Sequence, residues 1–188
     1  MKNLSEIKIA VSGKSGCGNS TVSRLLAEKL GLKLINYTFH NMAEEAGIPF
    51  EEFCRRAEND PSFDYALDDK QLRLAQNGGV VLGSRLAVWL LKDADLKVYL
   101  YAPAEIRSGR IHSREGGCPR EKAAETEARD ARDSARYRRL YNIDNNDYGF
   151  CDLIIDTSEK NPDQIVSEIV AAVYKMLEIG YNDKRSDK

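Results

Sequence analysis

Short apolar runs alternate along the chain with longer segments in which apolar residues recur every three or four positions. The short runs predict buried strands, and the periodic segments predict amphipathic helices. The predicted strands are 7–11, 32–36, 80–82, 96–101 and 153–156. The predicted helices are 20–30, 38–46, 49–58, 63–77, 86–91, 104–115, 119–141 and 162–178. Strands that alternate with helices in this way favour an α/β fold with a parallel sheet.

Composition and charge limit the domain number, the partners and the location that we expect for this protein. The 188 residues, 42% of them apolar, are enough for one domain over 1–180, and the polar end 181–188 is expected to be a flexible tail. A net charge of −2 predicts no nucleic-acid or membrane partner. We expect a cytoplasmic location, because no window approaches about 18 uninterrupted apolar residues. The four scattered cysteines predict reduced thiols and no structural metal.

The segment 13–21, which reads GKSGCGNST, directly follows the first predicted strand. Its glycines allow successive backbone N–H groups to converge on an anion, and the helix that starts at Ser20 adds its dipole. The Ser20 hydroxyl stands where a magnesium ligand is expected. The predicted nucleotide-phosphate site consists of Gly13, Ser15, Gly16, Cys17, Gly18, Asn19, Ser20 and Thr21. The alternative is a tight turn without a ligand.

Asn19 occupies the position of the lysine in the phosphate-binding pattern G-x-x-x-x-G-K-[ST]. Asparagine brings no charge, and losing one preorganised donor costs about 3–4 kcal/mol of transition-state stabilisation. Nucleotide binding should therefore survive better than turnover. Lys14 is the candidate replacement, because the spacing G-K-x-G-x-G-x-[ST] resembles deviant Walker A loops, in which a lysine at the second position contacts phosphate, often across a dimer. The alternative for Lys14 is a solvated loop residue.

Three further blocks carry a family resemblance. They read FDYALDDKQLRLAQNGGVVLGSRLAVWLL (63–91), ADLKVYLYAPAEIRSGRIHSREG (94–116) and RYRRLYNID (136–144). Together with the glycine loop, they resemble the short, archaeal-type cytidylate kinases and their bacterial cytidylate-kinase-like relatives over about 6–178. The resemblance implies a three-layer α/β/α P-loop kinase fold with a five-stranded parallel sheet. It also implies a helical insertion that binds a nucleoside monophosphate (about 37–78) and an arginine-rich lid (about 104–141).

The resemblance also implies residues for the acceptor nucleotide. Arg85 matches the family's arginine at the end of a strand, where an open α/β sheet has its ligand crevice. Asp64, Asp68 and Gln71 fit the family pattern D-x-x-x-D-x-[KR]-Q, which implies a role in positioning the acceptor. The alternative for these three polar residues is a solvated helix face.

The predicted lid carries two arginine triads with i, i+3, i+7 spacing. They are Arg107, Arg110 and Arg114, and Arg129, Arg132 and Arg136. Residues 107–139 hold nine Arg and one Lys against six acids, so two polyphosphates could be clamped there. We expect Arg110 and Arg114 to bind the nucleotide, and the second triad to act in catalysis with Lys14. Asp133 is expected to orient Arg129 or to contact the acceptor base. The alternative is a salt-bridged surface with a Gly116-Gly117 bend.

Two segments on the acceptor side depart from the family pattern. Leu82-Gly83-Ser84-Arg85 lacks the acidic residue that relatives usually carry before the arginine, where it would help to hold hydrated magnesium. The segment NYTFHN (36–41) stands in place of G-D-x-[FI]-R, so that His40 falls where an arginine is expected. His40 is a candidate donor to the acceptor phosphate, and a surface histidine is the alternative.

The leading hypothesis is a nucleoside-monophosphate kinase of the cytidylate type that uses ATP and Mg²⁺. It would transfer the γ-phosphoryl group to CMP or dCMP and act on small-molecule nucleotides as a monomer, with a dimer left open. The first alternative is a nucleotide-binding sensor of the same fold that has lost catalysis. The second is a kinase for another small acceptor.

Overall fold

The computed structural model describes residues 3–183. The strands are β1 (Lys8–Gly13), β2 (Lys33–Ile35), β3 (Val80–Gly83), β4 (Leu96–Tyr101) and β5 (Leu153–Asp156). The helices are α1 (Asn19–Leu30), α2 (Phe39–Ala46), α3 (Phe50–Asn59), α4 (Ser62–Ala75), α5 (Ala87–Leu90), α6 (Ala104–Glu115), α7 (Pro119–Tyr141) and α8 (Pro162–Asp183). The strands form one parallel sheet in the order β2-β3-β1-β4-β5.

The sheet is covered on both faces, and the central strand β1 shows why its sequence is continuously apolar. Ile9 and Val11 point into a core that also contains residues of α1 and α8. Ala10 points into the opposite core, which is built with residues of α4 and α5. A strand buried on both faces has no polar side. The result is the predicted three-layer α/β/α arrangement.

The predicted parallel sheet is confirmed, and every predicted helix is present, with ends that are either unchanged or moved by a few residues. The largest difference is at the end of the chain, where α8 continues to Asp183 and includes the start of the predicted tail. A glycine inside a helix costs only about 1 kcal/mol relative to alanine, and Gly180 does not end this one. The rest of the predicted tail, 184–188, lies outside the described residues.

The three helices between β2 and β3 have a small core of their own. It contains Phe53, Ala43 and Ala57, with Phe39 and Phe63 packed against it. The Phe53 ring meets Phe39 at 5.5 Å and Phe63 edge-on at 4.9 Å. The segment between the second and third strands is therefore packed around aromatic residues and stands beside the carboxyl ends of the sheet.

No helix within residues 3–183 combines the length and the apolarity that a bilayer span requires.

Candidate active site

A cleft of about 660 Å³ opens at the carboxyl ends of β1 and β3. It lies between the glycine loop, the α2–α4 segment and the helices α6 and α7. The predicted site residues that line it are Gly13, Lys14, Ser15, Gly16, Gly18, Asn19, Ser20, Thr21, His40, Asp64, Gln71, Arg85, Arg110, Arg114, Asp133 and Arg136. Cys17, Arg129 and Arg132 do not line it. Residues from separate parts of the sequence are thus brought around one space large enough for small-molecule ligands.

The glycine loop needs glycine for two different reasons. Gly16 and Gly18 have φ values of +88° and +92°, which L side chains rarely adopt. A Cβ on Gly16 would also lie 2.7 Å from the carbonyl oxygen of Arg107, and one on Gly13 would lie 2.7 Å from that of Leu100. The loop is therefore pressed against α6 and β4.

Cys17 contributes backbone to the loop, but its side chain belongs to the core. The thiol is buried in the core that residues of β1, α1 and α8 form on one face of the sheet. Burial raises the pKa of the Cys17 thiol, and the nearby Arg107 partly offsets this. The predicted phosphate-site role of Cys17 can therefore involve only its main chain.

The amino end of α1 faces the cleft. Gly18 is its N-cap, and no side chain caps the helix. Ser20 and Thr21 line the cleft and are exposed. The first N–H groups of a helix carry no intrahelical partner and favour an anion. This end of the cleft can therefore hold a phosphate chain.

The side chain of Asn19 is held in place by Ser23, one turn further along α1. Its Oδ1 accepts a hydrogen bond from Ser23 Oγ at 3.0 Å. Ser23 is buried beside Gly83, where a Cβ would lie 2.5 Å from the Ser23 hydroxyl. With its oxygen engaged, the carboxamide of Asn19 has its NH₂ group available to donate into the cleft.

The lid helices contact the glycine loop through arginines. Arg107, whose side chain is 5% exposed, pairs with Asp130 at 2.7 Å and donates to the Ser15 carbonyl at 3.1 Å. Arg129 Nη1 donates to Ser15 Oγ at 3.2 Å. Arg110 Nη1 donates to Thr157 Oγ1 at 3.0 Å. The first triad thus divides, because Arg107 fixes the loop from inside while Arg110 and Arg114 line the cleft.

The second triad divides as well. Arg136 lines the cleft, whereas Arg132 is exposed and lies outside it. In an α-helix, position i+3 lies about 60° around the axis from position i, and position i+4 about 40° to the other side. Asp133 and Arg136 face the cleft, and Arg132 lies about 100° from Asp133 and about 40° beyond Arg136, at the solvent-exposed edge of that face.

Two ion pairs join α7 to the acceptor side of the cleft. Arg85, at the end of β3, pairs with Asp133, and Arg136 pairs with Asp64 of α4. The predicted orientation of Arg129 by Asp133 is not what the structure shows, because the Asp133 carboxylate accepts its hydrogen bond from Arg85 and Arg129 donates to Ser15 Oγ instead. Burial raises the pKa of Asp133, and Arg85 opposes this shift.

Asp68, which the family pattern groups with Asp64 and Gln71, also lies in the cleft wall. Its carboxylate accepts a hydrogen bond from the Tyr141 hydroxyl. Burial raises the pKa of Asp68 to about 6, although the bond from Tyr141 opposes the shift. Tyr137 also lines the cleft, four residues before Tyr141 on α7. The four-residue spacing from Asp133 is the sequence signal that would have indicated both tyrosines.

His40 and Gln71 are both brought to the cleft, but differently. The His40 ring is exposed and stacks on Phe50 with centroids 3.5 Å apart. Gln71 is buried, and its Nε2 donates to the Tyr37 carbonyl at 2.8 Å. Gln71 therefore fixes the backbone after β2, and His40 is the more accessible of the two to a ligand.

The residues present fit a magnesium ion that arrives with phosphates. Within residues 3–183, no group of three His, Cys, Asp or Glu side chains could hold a metal. Mg²⁺ bound to a nucleotide needs only one or two protein oxygens, since phosphates and waters complete its octahedron. Ser20 offers a hydroxyl in the cleft, and the buried Ser84 Oγ in its wall has no hydrogen-bond partner among the described residues.

Similarity to known proteins agrees with this geometry. The model of the cytidylate kinase-like family matches residues 8–159. Cytidylate kinase 2 of Borreliella burgdorferi is 48% identical over 163 residues, which cover 85% of this chain and 91% of the relative. Cytidylate kinase of Pyrococcus horikoshii is 37% identical over 185 residues, which cover 97% and 96% of the two chains.

Solved structures with low identity show the fold. Shikimate kinase of Acinetobacter baumannii in complex with shikimate is similar with a TM-score of 0.58 and 21% identity, over 90% of this chain and 93% of that one. Deoxyadenosine kinase of M. mycoides with bound dATP has a TM-score of 0.57 and 18% identity, over 89% and 100%. The sheet, the helices on both faces and the glycine loop are thus those of a P-loop kinase fold. From its family match and its relatives, the chain belongs to the cytidylate kinase-like family.

Proposed function

We propose that the protein transfers the γ-phosphoryl group of ATP to CMP or dCMP and releases ADP and the diphosphate. The observation that carries the proposal is one cleft that is lined by two separate groups of N–H donors. The glycine loop and the start of α1 form one group, and Arg85 with Arg136 forms the other. Two phosphorylated ligands held side by side in one cleft are what a direct phosphoryl transfer requires. The names of the relatives support CMP as the acceptor.

The triphosphate would lie on the loop amides of 13–18 and on the first turn of α1. Arg110 and Arg114 would contact the nucleotide from the lid, and Ser20 would hold Mg²⁺, which neutralises phosphate charge when bound. Asn19 would donate one hydrogen bond to phosphate. The donors that line the cleft support these proposed roles.

The acceptor would lie between α4 and α7. Arg85 would bind its phosphate, with Asp64 and Asp133 holding the arginines in place through their ion pairs. His40 would donate from the opposite wall, and Gln71 would keep the Tyr37 backbone in position.

The charge that the usual loop lysine provides would come from several side chains. Lys14, Arg129 and Arg136 lie at or beside the cleft and would stabilise the charge that spreads over the transferred phosphoryl group. Arg132 is the fourth side chain that we propose to supply this positive charge. Because it is exposed in this structure, it would reach the cleft through further closure of the lid about Gly116 and Gly117, whose φ values are +72° and +93°.

The experiment is a coupled ADP-release assay with ATP and Mg²⁺ against all common nucleoside and deoxynucleoside monophosphates. We expect CMP or dCMP to give the highest kcat/KM. The absence of any acceptor-dependent ATP consumption by the pure protein would contradict the proposal.

Asn19 is the observation that favours a second candidate, a nucleotide-binding sensor without catalysis. This candidate requires ATP or CMP binding in calorimetry with no turnover, and a gain of activity in Asn19→Lys.

A kinase for a different small acceptor would instead be revealed by a thermal-shift screen of a metabolite panel, since a true ligand raises the melting temperature by mass action.

A further inference from the structure

Lys14 has a specific partner outside the glycine loop. Its Nζ donates to Oδ1 of Asn146 at 2.8 Å. Asn146 is an exposed residue in the loop that follows α7, 132 positions further along the chain. Lys14 lines the cleft next to Gly13, and it also lines a separate cavity of about 260 Å³ that Asn146 shares. The contact therefore links the loop after the lid helix to the edge of the phosphate site.

The carboxamide of Asn146 is fixed by its own neighbours. Its backbone N–H donates to Asp144 Oδ1 at 3.0 Å, and its Nδ2 donates to the same oxygen at 3.2 Å. Asp144 in turn pairs with Arg138 of α7 at 2.6 Å. The hydrogen bonds from Asn146 lower the pKa of Asp144, so this carboxylate is ionised at neutral pH. Oδ1 of Asn146 is thereby turned toward Lys14.

The chemistry of the partner matters for the charge of the cleft. Arg85 and Arg136 are each paired with a carboxylate, which offsets their positive charge. Asn146 holds Lys14 with a neutral oxygen, so this contact does not itself cancel the charge of the ammonium. A carboxylate at the same position would hold the ammonium equally well and would cancel its charge.

We propose that Asn146 is a positioning residue that holds the Lys14 ammonium beside the glycine loop, so that its charge acts on a bound triphosphate in place of the absent loop lysine. The proposal rests on the phosphate-binding role of the cleft in the proposed function. It adds a residue from outside the glycine loop and ties the position of Lys14 to α7 through Arg138 and Asp144.

Binding of inorganic tripolyphosphate with Mg²⁺, measured by calorimetry, tests the proposal without turnover. We expect Asn146→Asp to weaken binding about tenfold, because the new carboxylate neutralises Lys14. Asn77→Asp is the matched control, since Asn77 is an exposed turn residue away from the cleft and receives the same change of charge. It should bind like the wild type. Unchanged melting temperatures would show that both variants fold.

A double-mutant cycle with Lys14→Met tests whether Asn146 acts through Lys14. Asn146→Ala, which removes the contact without adding a charge, should weaken binding about three- to tenfold in the wild type and less than about twofold in the Lys14→Met background. A full, additive loss in that background would overturn the proposal, as would wild-type binding by Asn146→Asp.

Kinetics provide a second readout. Asn146→Ala frees the ammonium and should lower kcat about three- to tenfold, with the KM for the acceptor changed less than about twofold. An unchanged kcat would contradict the positioning role. An inactive wild type would contradict the proposed function alone, because the tripolyphosphate measurement still reports on the Lys14 contact.

Discussion

The cationic side chains at the cleft differ in what neutralises them. Arg85 and Arg136 have carboxylate partners, whereas Lys14, Arg110 and Arg129 contact the neutral oxygens of Asn146, Thr157 and Ser15. A phosphate that approaches the first group competes with an ion pair, while the second group offers its charge directly. Positive charge is therefore most available beside the glycine loop.

Ser20→Ala should lower kcat about a hundredfold and change the ATP dissociation constant less than about threefold. The reason is that a ligand to Mg²⁺ stabilises charge that develops in the transition state more than charge in the bound ground state. Steady-state kinetics and calorimetry measure the two effects. Ser167→Ala on α8, far from the cleft, is the control. An equal loss of affinity and rate would rule out the assigned role of Ser20.

Asp68 should make stability depend on pH. Its pKa is about 6 in the folded protein and about 3.9 in the unfolded chain. Between these values the folded protein keeps a proton that the unfolded chain has released, so the free energy of unfolding falls as pH rises from about 4 to about 6, by up to about 3 kcal/mol.

Asp68→Asn removes this titration. Its free energy of unfolding should rise relative to wild type from about pH 4 to about pH 6 and stay constant above that range. Urea unfolding at a series of pH values measures the difference. Glu159→Gln, which changes an exposed carboxylate, should show no such trend. A flat difference for Asp68→Asn would refute the assignment.

At the scale of elements, the glycine loop and α6 depend on each other. Gly16 provides the space that the Arg107 backbone occupies, and Arg107 holds the Ser15 carbonyl in return. The loop is thus shaped by its own backbone and by the first turns of the helix that follows β4.

Gly16→Ala should weaken ATP binding at least about tenfold, because the added Cβ meets a carbonyl oxygen at 2.7 Å and the φ of +88° is strained. Gly31→Ala is a matched control, since Gly31 has a φ of +65° but nothing within 4 Å of the added Cβ. It should cost about 1 kcal/mol of stability and leave ATP binding unchanged. If calorimetry gave Gly16→Ala the same ATP affinity as the wild type, the prediction would be wrong, and the loop would have adapted to the added Cβ.

At the scale of the whole molecule, α7 holds the other parts together. Arg107–Asp130 joins it to α6 and the glycine loop, Arg85–Asp133 joins it to the sheet, and Arg136–Asp64 joins it to α4. Tyr65 adds a hydrogen bond from its hydroxyl to the Leu140 carbonyl at 3.1 Å. The cleft is therefore enclosed by polar contacts between elements far apart in sequence.

Asp130→Ala should lower the free energy of unfolding by about 3–5 kcal/mol, because it leaves the charge of Arg107 buried without its carboxylate. Glu28→Ala removes the partner of Arg24 in an exposed pair on α1 and should cost less than about 0.5 kcal/mol. Urea unfolding of both variants provides the comparison. Similar losses would mean that the buried pair contributes no more than the surface one.

The sequence by itself determined the strands, the helices and the glycine loop, because these features are encoded locally. Alternation and periodicity reflect which faces are buried, and the glycines of 13–18 reflect a backbone that few other residues can adopt. The start of α1 at the loop follows for the same reason. The sequence also indicated Arg85 and Arg136, since one ends a strand and the other lies on a regular helix face.

Only the tertiary structure decided which charges meet. Asp133 pairs with Arg85 rather than Arg129, Lys14 reaches Asn146, and Arg132 stays outside the cleft. Arginines and acids are frequent on both lid helices, so local spacing permits many pairings. The choice among them depends on how α7 packs against the sheet and α4, and that packing is set by contacts between residues many positions apart.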